Sequence, residues 1–291
     1  MNDIDPPFDI LEPERLVTPF VFNSPHSGTV YPASFLTSSR LDALTLRRSE
    51  DTLVDRLFEG VVKLGAPLMR AHFPRAYLDV NREPYELDPK MFNGGLPNFA
   101  NTRSMRVAGG LGTIARIVGE AQEIYTSKLS VDEGLERIEL LYKPYHRALR
   151  RLLGRSQRAF GVVVLVACHS MPSASLANEP APRADIVLGD RYGTSCGGAL
   201  AEVFEDCFRA AGLFVTRNKP YAGGFITEHY GNPISHCHAI QIEINRALYM
   251  DERSFAPSPN FMQLATLIQA TFARIIGSGA VALSPQRNAA E

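Results

Sequence analysis

Short apolar runs alternate along this chain with longer segments in which apolar residues recur at helical spacing. The apolar runs predict buried strands over residues 16–23, 67–71, 161–168, 213–217 and 239–244. The helical spacing predicts helices over residues 51–64, 113–129, 131–157, 195–211 and 258–276. Because strands alternate with helices, the pattern predicts an α/β fold with a mainly parallel sheet covered by helices on both faces.

Capping residues sharpen two of these boundaries. Gly65 follows the helix predicted over 51–64, and a glycine commonly ends a helix at this position. Ser130 precedes the helix predicted over 131–157, and Glu133 follows it three residues later. This spacing is typical of a capping box, so we expect the helix to begin at residue 131.

The length and composition suit one large α/β domain. The chain has 291 residues, of which 45% are hydrophobic, and this is enough for a sizeable core. Residues 1–15 predict a loose arm, followed by a single catalytic domain over 16–280 and a C-terminal tail over 281–291. Within the domain, residues 83–112 are rich in proline, glycine and asparagine. They predict a long loop near the site, because such loops in compact domains are usually functional.

Charge and cysteine usage exclude several classes of partner. The 30 basic residues balance 31 acidic ones, so neither nucleic acid nor a membrane surface is an expected partner. The chain has no apolar run of about 18 residues, and its first residues do not resemble a secretory signal. The 4 cysteines lack Cys-x-x-Cys spacing, which favours a reduced, cytoplasmic protein. Homo-oligomerisation is left open.

Two histidines stand at the ends of predicted buried strands. His26 lies in the turn-forming segment Ser24-Pro25-His26-Ser27-Gly28, and His169 follows the strand predicted over 161–168. Open α/β sheets place their sites at the carboxyl ends of strands, where two such histidines can converge. Two imidazoles and a carboxylate are the protein ligands of many catalytic zinc ions, whose fourth position stays open for water or substrate. The chain therefore predicts a metal-dependent hydrolase.

Two acidic positions complete this prediction. Asp51 and Glu50 begin a predicted helix, where acids stabilise the helix dipole; one of them is also the expected third ligand, with Asp51 preferred. Glu243 lies inside the apolar strand 239–244, where a charge is costly unless it is paired or functional. A carboxylate beside a metal can take a proton from water and pass it to a leaving amine.

The segment Asp79-Val80-Asn81-Arg82 predicts a contact with a substrate carboxylate. It follows Tyr77-Leu78, which we interpret as a strand end. Arginine binds a carboxylate through two parallel hydrogen bonds, and the amide of Asn81 would add another. Asp79 is expected to orient Arg82 or a histidine ligand.

Other residues leave alternatives open. Cys168 adjoins His169 and is a candidate nucleophile, although a thiol in that position also packs as a small apolar side chain. His229, His236 and His238 are a rival metal-binding group in polar loop sequence. Tyr221 precedes two glycines in a segment that predicts either a closing loop or a plain turn.

In combination, these segments resemble the N-formylglutamate amidohydrolase family. The resemblance runs from about residue 20 to 255. Each matching segment alone is a weak signal, but the occurrence of all of them in one chain is specific. The matching segments are Ser24-Pro25-His26-Ser27-Gly28, Asp51-Thr52, Asp79-Val80-Asn81-Arg82, Cys168-His169-Ser170-Met171-Pro172, Asp185-Ile186-Val187-Leu188-Gly189-Asp190 and Gln241-Ile242-Glu243-Ile244-Asn245-Arg246. Their order is also similar to that of the zinc carboxypeptidase and aspartoacylase superfamily.

The resemblance implies a single α/β domain with a mixed, mostly parallel sheet and one bound zinc ion. It implies that the zinc ligands are His26, Asp51 and His169, and that Glu243 is the general base and acid. It further implies that a small N-acyl amino acid, foremost N-formyl-L-glutamate, is the substrate. The residues implied to bind the substrate are Asn81, Arg82 and Arg246.

The chain departs from the superfamily pattern at one position. Those enzymes commonly place an acidic ligand three residues after the first histidine, where this chain has Thr29, so the acid must come from elsewhere. Amidases acting on other N-acyl amino acids, or on peptide or cell-wall amides, would share this core. A non-catalytic metal-binding relative would keep the ligands without needing Glu243.

Overall fold

A mixed sheet forms the centre of the computed structural model, which describes residues 4–119, 121–176 and 183–282, with side chains as far as 278. In the described residues the sheet has seven strands, in the order β1-β3-β2-β8-β11-β9-β10. Those strands are β1 Phe8–Leu11, β2 Phe20–Ser24, β3 Leu68–Ala71, β8 Val163–Met171, β9 Ile186–Gly189, β10 Val215–Arg217 and β11 Cys237–Asn245. Shorter strands lie outside it: β4 Phe92–Asn93, β5 Ile117–Val118, β6 Gln122–Glu123 and β7 Leu129–Ser130.

Helices flank the sheet and its loops. They are α1 Ala33–Ser38, α2 Ala43–Leu46, α3 Val54–Phe58, α4 Met105–Ala108, α5 Val131–Arg137, α6 Lys143–Phe160, α7 Gly198–Ala210, α8 Phe225–Tyr230 and α9 Phe261–Ala282. Short 3₁₀ turns cover Arg47–Ser49, Glu59–Leu64, Pro89–Met91, Ser173–Leu176, Pro233–Ser235 and Arg246–Leu248, and a π-helical turn covers Ile138–Tyr142.

Strand direction brings the site residues to one edge of the sheet. The central strands β2, β8 and β11 are parallel to one another, and β3 is parallel to β2. The pairs β1–β3 and β11–β9 are antiparallel, so the predicted mixed and mostly parallel sheet is confirmed. The register of β8 and β11 places His169 directly beside Glu243.

Alternation along the central strands divides the core between the two faces of the sheet. Val164, Val166 and Cys168 pack on one face with residues of α3, α7 and α9. Leu165 and Ala167 pack on the other face, against α5 and α6. Such strands are buried on both sides, which accounts for their continuous run of β-branched and aliphatic residues. By this alternation, His169 shares the face of Ala167, at the carboxyl end of its strand.

The helix predicted over 113–129 is wrong. The described part of this segment forms β5, β6 and β7 with turns between them, and Ala121 has a positive φ of 58°. Ile114, Val118 and Ile124 are nevertheless buried, so their helix-like spacing reflects packing of an irregular segment against the core. Gly119, in the middle of the segment, also disfavours a continuous helix.

Several other boundaries differ from the predictions. Part of the arm predicted to be loose is β1, an edge strand in which Asp9 accepts a hydrogen bond from Arg70 of β3 at 2.8 Å. The strand end predicted at Tyr77-Leu78 is instead a series of turns, and strand β9 was not predicted. The tail predicted over 281–291 begins inside α9, and residues 283–291 lie outside the described part of the chain.

The remaining elements follow the predictions with shifted ends. The strand predicted over 161–168 continues to Met171, so His169 lies within β8 rather than after it. The helix predicted over 131–157 is α5 and α6 joined by a π-helical turn. Its predicted N-cap is confirmed, because the Ser130 hydroxyl accepts a hydrogen bond from the Glu133 amide at 3.0 Å. The Glu133 carboxylate pairs with Arg137.

Candidate metal centre and its cavity

The turn after β2 holds His26 against the segment that carries Asp51. The Asp51 amide donates to the His26 carbonyl at 3.0 Å, and the Ser27 hydroxyl donates to the Asp51 carbonyl at 3.1 Å. Gly28 allows the turn to pass close to the segment that follows β3, because a Cβ there would lie 2.2 Å from the Phe73 carbonyl oxygen. These backbone contacts bring His26 and Asp51 together although they are far apart in the sequence.

Both histidines face the same carboxylate oxygen. Asp51 Oδ2 lies 3.3 Å from His26 Nδ1 and 2.9 Å from His169 Nδ1. All three residues are buried. Within the described residues, they are the one group of histidine, cysteine or acidic side chains whose ligand atoms come close enough to hold a metal ion.

Outer contacts fix the orientation of each of these side chains. His26 Nε2 lies 2.7 Å from Asp79 Oδ1, which leaves Nδ1 facing the centre. The Ser170 hydroxyl donates to Asp51 Oδ1 at 3.0 Å, so Oδ2 remains on the side of the histidines. Arg246 Nε donates to the Ser170 hydroxyl at 3.0 Å and its Nη2 lies 3.5 Å from Asp51 Oδ1.

Neighbouring charges and hydrogen bonds favour the ionised forms of Asp51 and Asp79. Burial raises the pKa of Asp51, but hydrogen bonds and charge from His169 and His26 outweigh it, and the pKa lies well below its ordinary value. Burial opposes ionisation of Asp79 in the same way, and the charges of Arg75, His26 and Arg82 hold its pKa well below the usual range. Burial lowers the pKa of His169, which favours the neutral imidazole that binds metals.

This donor set fits a divalent metal ion. Two imidazole nitrogens and one carboxylate oxygen are the protein ligands of many catalytic zinc sites. A metal-binding histidine characteristically donates a hydrogen bond from its other ring nitrogen to a carboxylate, and His26 Nε2 faces Asp79 in this way. Zinc and other divalent ions with nitrogen and oxygen ligands match this chemistry.

Glu50 is not part of this group. Its carboxylate accepts hydrogen bonds from Tyr31 at 2.6 Å, Thr52 at 3.0 Å and Arg47 at 3.1 Å. These three partners occupy both oxygens of the Glu50 carboxylate, and neither histidine is among them. Of the two acids that the sequence left open, Asp51 is therefore the one that joins the metal centre.

The rival groups lie elsewhere. Cys168 points into the opposite core, and burial raises the pKa of its thiol well above the ordinary value, so the thiolate is disfavoured. His238 Nδ1 accepts a hydrogen bond from the Gly197 amide at 3.0 Å. His229 stacks on Phe225, with ring centroids 5.0 Å apart. Neither histidine joins a metal-binding group among the described residues.

Glu243 faces the metal centre from the neighbouring strand. Its carboxylate accepts a hydrogen bond from Gln241 Nε2 at 2.7 Å, and Gln241 in turn accepts one from the Gly224 amide at 2.9 Å. Burial raises the pKa of Glu243 well above its ordinary value, and the negative charge of Asp51 raises it further. A buried carboxylate with a raised pKa, beside a candidate metal centre, is suited to proton transfer.

A cavity of about 540 Å³ opens over these residues. His26, Asp51, His169 and Glu243 line its floor, and Asn81, Arg82 and Arg246 also line it, so the fold brings together all the site residues that the sequence predicted. Residues of the predicted loop 83–112 and of the Tyr221 segment form its walls.

The predicted substrate-binding residues already have protein partners. The Asn81 side-chain oxygen accepts from the Ile226 amide at 2.8 Å, and its nitrogen lies 3.4 Å from His169 Nε2. Arg82 donates to the carbonyls of Leu111 and Asn81, each at 3.0 Å. The other Arg246 partners are the carbonyls of Arg48 and Glu50. Substrate contacts by Asn81, Arg82 and Arg246 stay predictions, since each residue also braces the site.

Arg75 is a cavity residue that sequence reasoning missed. Its Nε donates to Asp79 Oδ2 at 2.8 Å, and its charge acts on both His169 and Glu243. Burial lowers the pKa of Arg75, but the carboxylates of Asp79 and Asp51 raise it more. Its neighbours in the sequence carry no motif, so only the fold identifies it.

In the described residues, no helix is long and apolar enough to cross a membrane.

Comparison with known proteins places the chain in one family. The N-formylglutamate deformylase of Pseudomonas aeruginosa is 30% identical over 271 residues, which cover 92% of this chain and 93% of that protein. The N-formylglutamate deformylase of Pseudomonas putida is 29% identical over 264 residues, which cover 88% of this chain and 92% of that protein.

A solved structure shares both fold and sequence. The crystal structure of N-formylglutamate amidohydrolase from Ralstonia eutropha superimposes with a TM-score of 0.88 at 37% identity, over 94% of this chain and 99% of that one. The family profile described as N-formylglutamate amidohydrolase matches residues 18–250. The match covers the metal centre, Glu243 and the whole cavity wall, and the chain belongs to the N-formylglutamate amidohydrolase family.

Proposed function

We propose that this protein hydrolyses N-formyl-L-glutamate to formate and L-glutamate, with a zinc ion held by His26, Asp51 and His169. The observation that carries the proposal is the convergence of these three ligands beside Glu243, in a cavity lined by several arginines. The names of the relatives support the substrate, and the donor set supports the metal.

Zinc, when bound, would polarise the formyl oxygen and lower the pKa of a water molecule towards about 7. The residues around it supply the remaining chemistry. Asp79 and Ser170 hold the ligands His26 and Asp51 in fixed orientations, so that little reorganisation is needed during the reaction.

Glu243 is the proposed general base and acid. In its ionised form the carboxylate takes a proton from the attacking water, whose oxygen then bonds to the formyl carbon. The protonated Glu243 then gives this proton to the glutamate nitrogen as the carbon–nitrogen bond breaks. The raised pKa of Glu243 favours the second step, because a protonated carboxyl group is the required donor. The hydrogen bond from Gln241 fixes the position of the carboxylate.

Arginines would stabilise the charges that the substrate brings and that the reaction develops. Arg75 lies beside the metal centre, and we assign it to the negative charge that develops on the formyl oxygen. We assign the α-carboxylate of the substrate to Arg82, together with the Asn81 amide nitrogen. Arg246 remains a candidate for a further carboxylate contact in addition to its bonds around Asp51.

The reaction is proposed for the cytoplasm. Cys168, Cys196, Cys207 and Cys237 are all free thiols in the structure. Free thiols suit a reducing compartment, where glutathione and thioredoxin keep cysteines reduced.

The experiment that tests this proposal is formate release by the wild type and by Glu243→Gln, with the zinc content of both proteins measured. We expect wild-type activity on N-formyl-L-glutamate, and a loss of at least about 10³-fold in Glu243→Gln without loss of zinc. Glu252→Gln is the control, because Glu252 accepts hydrogen bonds from the Ser173 amide in an adjoining cavity and is not part of the metal centre.

The outcomes separate three interpretations. If Glu243→Gln keeps near wild-type turnover, the proposed base is wrong. If the wild type releases no formate but cleaves N-acetyl or peptidyl substrates, the site stands and the assigned substrate is wrong. If the wild type binds zinc and cleaves none of these compounds, the protein is a metal-binding relative without this activity.

A further inference from the structure

One side of the cavity concentrates positive charge. Arg75, Arg82 and Arg106 all line it, and we call these three residues the arginine wall. Arg106 belongs to α4, which begins after Ser104, whose hydroxyl accepts a hydrogen bond from the Val107 amide at 3.1 Å. The arginine wall therefore combines the turn region before residue 83 with the loop predicted over 83–112.

Backbone contacts join Arg82 to Arg106. Leu111 connects the two, because its carbonyl accepts from Arg82 Nε at 3.0 Å and its amide donates to the Arg106 carbonyl at 2.8 Å. Gly112 follows and lies against the backbone of Glu86, since a Cβ there would be 2.2 Å from the Glu86 carbonyl oxygen. The loop thus holds Arg106 beside Arg82 at the rim of the cavity.

The three arginines differ in how firmly protein groups hold their guanidinium groups. Arg75 is bonded to Asp79 at 2.8 Å, and Arg82 donates to two backbone carbonyls. Arg106 Nη1 lies 3.7 Å from Glu86 Oε2, which is the only ion pair it makes in the described part of the chain. The Arg106 side chain is 34% exposed, so it can move towards a ligand in the cavity.

Among the ion pairs of the described residues, two carboxylates, Asp79 and Glu86, face the three guanidinium groups of the arginine wall. Asp79 serves Arg75, Arg82 and His26 together. Burial lowers the pKa of Arg82 to about 10, and repulsion from Arg75 and Arg106 contributes to this shift. An excess of positive charge in a half-enclosed cavity attracts an anionic group, and two separated guanidinium groups match two carboxylates.

We propose that Arg106 binds the side-chain carboxylate of the substrate and selects N-acyl derivatives of dicarboxylic amino acids. This inference rests on the proposed function, because it assumes that Arg82 receives the α-carboxylate while the acyl group faces Glu243. Arg106 is then a specificity-determining residue that acts on binding and leaves the metal centre unchanged.

A structural role for Arg106 gives a different expectation. If Arg106 only neutralises the buried carboxylate of Glu86, its removal would weaken the loop and reduce activity equally on all substrates. The comparison of N-formyl-L-glutamate with N-formyl-L-glutamine separates these roles, because the two side chains have the same shape and differ in charge.

The test measures kcat and KM of zinc-loaded wild type and Arg106→Gln on both compounds. We expect kcat/KM for N-formyl-L-glutamate to fall about 100-fold, mainly through a higher KM, because a charge-assisted contact is lost. For N-formyl-L-glutamine we expect a change of less than about threefold, and Arg106→Lys should recover part of the preference for glutamate. Equal losses on both substrates, or no loss on either, would overturn the proposal.

Arg103→Gln is the matched control. It removes the same charge from the same loop, but Arg103 is exposed and does not line the cavity. We expect its kinetic constants to remain within about twofold of the wild type. A loss of glutamate preference in Arg103→Gln equal to that in Arg106→Gln would assign the effect to the net charge of the loop and overturn the role of Arg106.

A binding measurement keeps the inference independent of turnover. If the wild type cleaves neither compound, the proposed function fails, and calorimetry with L-glutamate and L-glutamine then tests Arg106 directly. Tighter binding of L-glutamate by the wild type, lost in Arg106→Gln, supports the inference. Equal binding of the two amino acids by the wild type overturns it.

Discussion

The metal centre and the arginine wall occupy the same cavity but are built differently. His26 lies beside the end of β2, His169 lies in β8, and Asp51 precedes α3 and is bonded through its amide to the His26 carbonyl. Every one of them has a fixed side-chain hydrogen-bond partner. Arg82 and Arg106 are held by turns and by a short helix, and Arg106 has one distant ion-pair partner in the described residues. Strand-borne histidines thus anchor the candidate metal centre, whereas turns and a loop carry the groups that we propose to select the substrate.

The largest effect is expected from His169→Ala. It removes one of the three proposed metal ligands, so we expect loss of bound zinc and a fall in formate release of about 10⁴-fold or more. Metal analysis of the purified protein and a formate assay measure both effects. His238→Ala is the control, because His238 lies in the neighbouring strand β11 and bonds to a backbone amide. Retention of stoichiometric zinc by His169→Ala would contradict the ligand assignment.

A second effect concerns His146, which contacts the backbone between Asp79 and Arg82. His146 is buried between the Val80 carbonyl and the Tyr230 hydroxyl, each at 2.8 Å, and burial lowers its pKa to about 4. Its pKa is therefore lower in the folded than in the unfolded protein, where it is about 6.5. The stabilisation is present in full above pH 6.5 and is lost as the pH falls towards 4.

We therefore expect the wild type to lose stability faster than His146→Gln on acidification. The difference in free energy of unfolding between the two proteins should shrink by about 3 kcal/mol between pH 7 and pH 4. Denaturant titrations of metal-free protein at several pH values measure it, so that zinc release does not contribute. A difference independent of pH would show that His146 titrates normally in the folded state.

A smaller effect is expected for the residue that orients His26. Asp79→Asn replaces a carboxylate that accepts hydrogen bonds from His26, Arg75 and the Asn81 amide with a neutral amide. Loss of such an outer contact typically weakens metal binding 10- to 100-fold, which competition with a fluorescent chelator can measure. Asp190→Asn is the control, since Asp190 is equally buried but pairs with Arg217 and Asn218. Equal zinc affinity in both variants would contradict the role of Asp79.

The smallest effect should come from the loop itself. Gly112→Ala places a methyl group against the Glu86 carbonyl and must displace the backbone beside Arg106. We expect KM for N-formyl-L-glutamate to rise about tenfold, with kcat and zinc content unchanged. Gly119→Ala is the control in the same cavity wall, because a Cβ there meets no atom of the described residues within 4 Å. A drop in kcat rather than a rise in KM would show that the loop also positions the reacting groups.

The same contrast explains what the sequence could predict. Apolar runs such as 161–168 identify buried strands directly, and the histidines at the ends of two such runs follow from that pattern. The fold class and the two histidines of the candidate metal centre can therefore be predicted from the sequence. The resemblance to the family supplied roles for residues whose own sequence patterns are weak, such as Asp51, Asn81 and Arg246.

The parts that the sequence did not predict are those made by long-range packing. The apolar positions of 113–129 suggest a helix, but they are buried by an irregular segment with short strands. Arg106 lies in a segment without a motif, and only the packing of turns brings it close to Arg82. Arg75 contacts Asp79 four residues later, but only the fold places both in the cavity beside His169 and Glu243. Local propensity carries no information about such contacts, because residues far apart in the chain determine them.

Restoration of activity by zinc tests the central claim most directly. Chelated protein would be titrated with zinc while formate release from N-formyl-L-glutamate is measured. We predict negligible activity after chelation and a linear recovery that ends at about one equivalent of zinc, since the described residues form one suitable group of ligands. Full activity in the chelated protein, with no bound metal by elemental analysis, would contradict a metal-dependent reaction at His26, Asp51 and His169.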